Sequence, residues 1–226
     1  MENQPPPNKS CLVWASIGIL VLFGAAKLFM DVSQSDREMY SIRFTQYRLH
    51  DIDTAISLYA TDNNERLPFA EKNGRAFNNS NEVFRELFRA DYLKPDAEDI
   101  FEVPLSPAKI DHQTGDPPDF AEALKPGECH WAVVKEGSYN QPGPLVWENS
   151  LSGGWNPTWD PTLKPDKPGR TYSGARVFIL TTSHAVKCYK LADPKAPSRL
   201  QNLDGKTTNL FTESGNREAL DPVGLK

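Results

Sequence analysis

The side chains able to do chemistry are few and scattered. His130 follows Cys129, and Cys188 lies four residues after His184. If two neighbouring strands brought them together, these four could hold a metal, pair as a Cys129–Cys188 disulfide, or stay as inert thiols. Their spacing is that of no zinc motif. Asp160 and Asp166, with nearby carbonyls, either offer the oxygen ligands that Ca2+ favours on a flexible loop or are solvated carboxylates. Neither group specifies an ion, so no metal and no cofactor is expected, and Ca2+ is the one ion with even weak candidates. Trp147, Trp155 and Trp159 lie in or beside a segment rich in proline and glycine. They read either as an exposed aromatic platform for a polysaccharide or a protein partner, or as a lid folded over a sheet. The lid is the simpler reading, because a loop supplies carbonyls for buried indole N–H groups. There is no G-x-S-x-G, no H-E-x-x-H and no glycine-rich phosphate loop. His50 and His112 stand in no spacing relation to a nucleophile. No catalytic residue is therefore assigned, and the expected activity is association rather than catalysis.

Composition agrees with a binding or structural role and excludes others. The 226 residues carry 25 Lys and Arg against 30 Asp and Glu, a net charge of −5. Nucleic acid is excluded as a partner on charge, since phosphate neutralisation needs a basic surface. The 38% apolar and 10% aromatic shares suffice for a small core. Three cysteines are too few for a disulfide scaffold.

The elements that would position these residues begin with residues 11–30, CLVWASIGILVLFGAAKLFM. Sixteen of the twenty are apolar, and Lys27 is the sole charge. At the α-helical rise such a run spans roughly 30 Å, the thickness of a hydrocarbon core. A transmembrane anchor is expected here, bounded by Cys11 and Met30, with Leu20 and Phe23 in lipid and Lys27 snorkelling to the headgroups. The weakly basic N-terminus and the absence of an A-x-A-like flank argue for an uncleaved signal anchor. Arg37, Arg43 and Arg48 tilt the charge balance toward a cytoplasmic C-terminus.

No proline or glycine interrupts residues 31–60. Phe44, Tyr47, Ile52, Ile56 and Tyr59 recur at helical spacing and predict one packing stripe, with Arg43, Arg48, Asp51 and Asp53 off it. Asp62-Asn63-Asn64 ends the helix. A second, short helix over 80–94 is capped by Ser80 or Asn81 and buries Val83, Phe84, Leu87, Phe88 and Leu93. Four β-like runs follow, at 130–134, 145–148, 175–182 and 185–191, the last two joined at Ser183-His184.

At this point the chain resembles the type IV pilin-like and type II secretion pseudopilin-like proteins, within the group that carries an H-X9-DG prepilin-processing-associated region. The hydrophobic helix running into an amphipathic one is the first likeness. Leu58-Tyr59-Ala60-Thr61-Asp62-Asn63-Asn64-Glu65-Arg66-Leu67-Pro68 is similar to the family's Y-x-x-D-N-x-G-x-L-P. Tyr92-Leu93-Lys94-Pro95, followed by Phe101-Glu102-Val103-Pro104-Leu105-Ser106, looks like its Y-L-x-x … F-x-C-P-S. Arg176 to Val186 stands where the family has N-V-L-F-A-D-G-H-V, with His184 on its histidine. The family's Asp-Gly falls on Thr182-Ser183, and no Gly-Phe junction precedes the apolar run.

The resemblance implies an α+β fold: a long N-terminal membrane-spanning helix packed on a small antiparallel sheet, with long Pro/Gly-rich loops. It implies a polar segment 1–10, an anchor 11–30, and a periplasmic domain 31–192. Within that domain a helical spine covers 31–62, a short helix 80–94 and the sheet 130–191, and a tail runs 193–226. It further implies a single-pass inner-membrane protein without enzymatic activity. The partners would be the membrane and other envelope or secretion-system proteins, among them like subunits. Major pseudopilins carry calcium in a comparable C-terminal loop, which is the context for Asp160 and Asp166. The alternative function is an anchored periplasmic module whose tryptophan loop holds a polysaccharide or a protein partner.

Overall fold

The computed structural model describes residues 9–68, 77–104, 106–136, 139–164, 166–201, 210–215 and 217–225; along the first helix, side chains are described at Lys27 and from Ser35 onward. The chain forms two compact units, Met1–Tyr40 and Ser41–Lys226. Helix α1 (Lys9–Asp62) runs from the first into the second. In the first unit Lys27, Ser35, Asp36, Arg37, Met39 and Tyr40 are exposed.

The expected membrane-spanning helix is overturned. Among the described residues no helix is long and apolar enough to cross a membrane. From Ser35 on, α1 carries Asp36, Arg37, Glu38, Arg43, Arg48, Asp51 and Asp53. Those charges keep the helix from Asp36 onward out of a hydrocarbon core. Of the residues expected to form the anchor, the side chains of Cys11, Leu20, Phe23 and Met30 lie outside the described residues.

The second unit is built on a six-stranded antiparallel sheet curved into a half-barrel, where the sequence reading placed a small sheet of four runs. The strands are β1 (Trp131–Val134), β2 (Pro144–Glu148), β3 (Arg176–Thr181), β4 (Val186–Leu191), β5 (Leu200–Gln201) and β6 (Ala219–Leu220), in spatial order β5-β4-β3-β2-β1-β6. The central runs WAVV, PLVWE and RVFILT are buried almost throughout. Strands covered on both faces read as continuous apolar runs rather than alternating ones. The segment from 193 onward closes both edges of the sheet, supplying β5 on one side and β6 on the other.

Alternation across β3 shows how both faces are covered. Phe178 meets the Tyr172 ring edge-on at 5.5 Å, and the Tyr172 hydroxyl bonds Thr45 of α1. Ile179, one residue on, is in register with Trp147. Trp147 in turn packs on Phe211 of the short helix α3 (Leu210–Glu213), centroids 5.1 Å apart. So α1 and Tyr172 cover one face of the sheet, and Phe211 with Trp155 and Trp159 covers the other.

Helix α2 (Ser80–Arg89) starts on Asn79, whose Oδ1 accepts the Glu82 N–H at 3.0 Å; Glu82 returns a bond to the Asn78 N–H. That reciprocal arrangement satisfies donors a helix start would leave open. Its apolar side stacks Phe84 and Phe88 on Phe101 at the end of a 3-10 helix (Pro95–Phe101), at 4.9 and 6.1 Å.

Along α1 the buried row is Ser41, Thr45, Leu49, Ile52, Asp53, Ala55, Ile56, Tyr59 and Ala60. Two members of the expected stripe are displaced. Tyr47 is 68% exposed, and Phe44 is only half-buried beneath the Arg48 guanidinium. Thr45 and Leu49 take the inward positions. Asp53, expected to face solvent, is on the buried row.

Candidate functional site

Asp53 is buried because it has a partner. The turn between β3 and β4 places His184 at φ 58°, a left-handed position that an unbranched or short polar side chain tolerates. Its backbone N–H donates to the Thr181 carbonyl at 3.0 Å, which fixes the turn. The ring then reaches α1, where both Asp53 carboxylate oxygens lie 3.0 and 3.2 Å from Nδ1. Tyr139, from the β1–β2 connection, stacks on the imidazole with centroids 4.3 Å apart. Ser57, one turn beyond Asp53, has its hydroxyl 3.1 Å from the Tyr139 phenol and 3.3 Å from the same Nδ1. Burial pushes the Tyr139 phenol up to about 12.

This cluster is accessible, and its hydrogen-bond logic is restrictive. The carboxylate needs a proton on Nδ1 to bond it, so Nδ1 has no lone pair left for the Ser57 proton. Ser57 is thus not an activated nucleophile. The half-exposed imidazole is what the arrangement presents to solvent.

A second constellation lies in the core. The Ser106 hydroxyl is 2.7 Å from His130 Nδ1, and Asn149 Nδ2 is 2.6 Å from the same atom. Glu148 stands 3.6 Å from Nε2 and accepts the Phe178 N–H at 2.7 Å. The residue types are those of nucleophile, base and carboxylate. Yet all four are buried, and the Ser106 oxygen also accepts the Ala108 N–H at 3.0 Å. Among the described residues none of these four side chains is open to a substrate. Burial holds the His130 imidazole below its ordinary pKa and hence neutral. The group works as a polar strut joining the 102–108 segment to β1, β2 and β3.

The tryptophans fold inward. Trp147 and Trp159 are fully buried, and Trp155 is half-buried. Trp155 and Trp159 contact Phe211 at 5.0 and 6.4 Å, and Trp155 meets Trp147 at 5.9 Å. The Trp155 indole donates to the Phe211 and Gly215 carbonyls, and that of Trp159 donates to the Asn149 carbonyl at 3.0 Å. No ring face of Trp147 or Trp159 is open to a sugar.

Asp160 is buried and turns back on its own chain, accepting from the Thr162 N–H and hydroxyl. Asp166 is exposed at φ 63°. Among the described residues no three His, Cys, Asp or Glu side chains gather as a metal site. Cys129 and Cys188 are both free. Cys129 is in the core, its thiol pushed up to about 12 by burial, while Cys188 is exposed on β4. His112 pairs with Asp99 at 3.3 Å on the surface.

The Asp53–His184 contact and the Ser106–His130–Glu148 strut both escaped the sequence reading. An i, i+4 pair of Asp53 and Ser57 on the inner side of a helix was the one local signal. No family model, curated protein or solved structure matches the chain.

Proposed function

We propose that the chain is a non-enzymatic structural or interaction subunit of a secretion or envelope assembly, pilin-like in role, with α1 as its association element. The observation that carries this reading is the outer side of α1. Tyr47 and Leu58 stand 68% and 53% exposed, eleven residues apart. Three helical turns separate them, so they lie in one line along the helix. Two large apolar side chains left exposed on a helix whose other side is already packed, with the exposed Asp51 and Thr54 between them, offer contact area to a partner.

The test is recovery of the full-length chain from native cells after mild cross-linking. Reproducible, stoichiometric recovery with other envelope subunits is the expected result. Recovery only as a monomer, or turnover of a substrate by the purified chain, overturns the reading.

A further inference from the structure

Residues 109–128 form an arm, closed at its base by the Lys109 N–H on the Gly127 carbonyl at 2.9 Å. A carboxyl from the 3-10 helix Pro95–Phe101 holds it in place. Glu98 is fully buried. Its Oε1 accepts the Leu124 N–H at 2.9 Å, and among the described residues its Oε2 has no hydrogen-bond partner. The amide so held belongs to a strained turn. Leu124 stands at φ 51° and Phe120, four residues earlier, at φ 44°, a left-handed region that glycine, asparagine and aspartate visit more readily. Such backbone persists only where its surroundings over-determine it. Here Asn81 and Arg85 of α2 donate to the Ala123, Leu124 and Lys125 carbonyls at 2.7 to 3.3 Å, and Glu98 supplies the acceptor for the Leu124 amide.

The charged groups around Glu98 leave that carboxyl little help. The arm brings Asp111, His112, Lys125 and Glu128, and α2 brings Arg85, whose guanidinium is turned to the Ala123 and Leu124 carbonyls. Glu128, itself buried, uses both carboxylate oxygens on the Asp111 and Lys125 N–H groups, at 3.3 and 2.5 Å. Lys125 pairs with Asp111 at 2.7 Å and with Glu122 at 3.2 Å, and His112 pairs with Asp99 at 3.3 Å. A buried oxygen without a donor costs more on an anion than on a neutral carboxyl. Burial chiefly, and then Asp111, hold the Glu98 carboxyl above its ordinary range, over the opposing pull of the Leu124 N–H, His112 and Lys125.

We infer that this arm is a proton-operated latch: it is closed on α2 while Glu98 carries its proton, and it opens as the carboxyl releases that proton to solvent. Ionised, Oε2 draws water, and admitting water means lifting the Leu124 turn bonded beside it. Release also lets Phe120 and Leu124 leave the left-handed region, so the strain assists opening. The Phe120 ring packs on Phe88 with centroids 6.2 Å apart, and Phe88 and Phe84 stack on Phe101. An open arm therefore bares the aromatic side of α2. The closed form binds the proton the more tightly, so it is favoured in acid and loses ground as pH rises through the raised value. The latch acts whether or not the chain serves an envelope assembly.

The experiment is amide hydrogen exchange of the full-length chain from about pH 4 to about pH 9, corrected for the intrinsic exchange rate at each pH. Protection of the 120–128 amides should fall at least about tenfold across that range relative to the amides of β1, β2 and β3. In Glu98→Gln, which cannot ionise, the fall should disappear. In Glu128→Gln, which removes the neighbouring buried carboxyl, it should remain. Thermal melting checks that both variants are folded. The carboxyl carbon resonance of Glu98 in the wild type should titrate at the pH where protection falls. Arm protection that stays level with pH in the wild type overturns the inference, as does a fall that survives Glu98→Gln or one that Glu128→Gln abolishes. If Glu98→Gln does not fold, the wild-type titration decides: opening of the arm at a pH other than that at which the Glu98 signal moves overturns the inference.

Discussion

Asp53 on α1 and His184 in the β3–β4 turn, 131 residues apart, meet with both carboxylate oxygens close to a single ring nitrogen, Nδ1. The contact fastens the hairpin tip to the helix and explains why a carboxylate sits on the helix's packed side. Asp53→Ala is expected to lower stability by about 1–2 kcal/mol, toward the low end because the imidazole is half-exposed. A double-mutant cycle with His184→Ala checks it: a coupling of about 1 kcal/mol is expected, and additive effects would mean the contact holds nothing.

His130 makes acid tolerance measurable. Burial lowers its pKa in the folded chain from the ordinary 6.5. The unfolded chain therefore binds the proton first, and the stability from keeping this ring neutral is fully present above about pH 6.5 and declines as pH falls below it. Glu98, Glu128 and Asp221 have raised carboxyl pKa values, chiefly from burial, and carry the opposite slope, each over the interval from its ordinary value up to its raised one. The histidine's share is read as the difference in denaturation midpoint between wild type and His130→Gln across pH 5–8. That difference should shrink as the solution is acidified through the histidine range. A constant difference would contradict the neutral buried ring.

The aromatic lid gives a third expectation. Trp159 is fully buried against Phe211, with its indole bonded to the Asn149 carbonyl. Trp159→Ala should cost roughly 3–5 kcal/mol, the range for emptying a large aromatic from a core. Unchanged thermal stability with lost retention on a polysaccharide column would instead make the tryptophan a binding platform.

Gly169 holds the lid to the sheet. Its N–H donates to Asn149 Oδ1 at 2.8 Å, its φ is +76°, and a Cβ there would stand 2.5 Å from the Leu151 nitrogen. Both the backbone region and the close approach exclude a side chain, so Gly169→Ala should destabilise by more than about 1 kcal/mol. Chemical denaturation of the variant measures this directly.

Much of the sheet was legible in the sequence, and the contacts that organise it were not. The runs 130–134, 145–148, 175–182 and 185–191 coincide within a residue or two with β1 to β4, because continuous apolar, β-branched segments bounded by turns leave a local signature. β5 and β6 have two residues each, too few for any period to show. The stripe on α1 was misread at Tyr47 and Asp53 for different reasons. Tyr47 is apolar enough to look buried yet faces outward, whereas Asp53 looks solvated and owes its burial to a histidine from the far end of the chain. The Ser106–His130–Glu148 strut is likewise assembled from three separated segments. The apolar run 11–30 weighed heavily toward a membrane span, whereas among the described residues no helix is long and apolar enough to cross one.

The central claim, that α1 is an association element, is tested most directly at Tyr47 and Leu58. Tyr47→Asp and Leu58→Asp, introduced together into the full-length chain, change two side chains that are more than half exposed, so the melting temperature should stay within about 2 °C of wild type. Quantitative recovery of partner subunits after cross-linking in native cells should fall at least about tenfold if an apolar contact at the interface centre is replaced by two charges. Undiminished recovery with both substitutions in place would contradict the account.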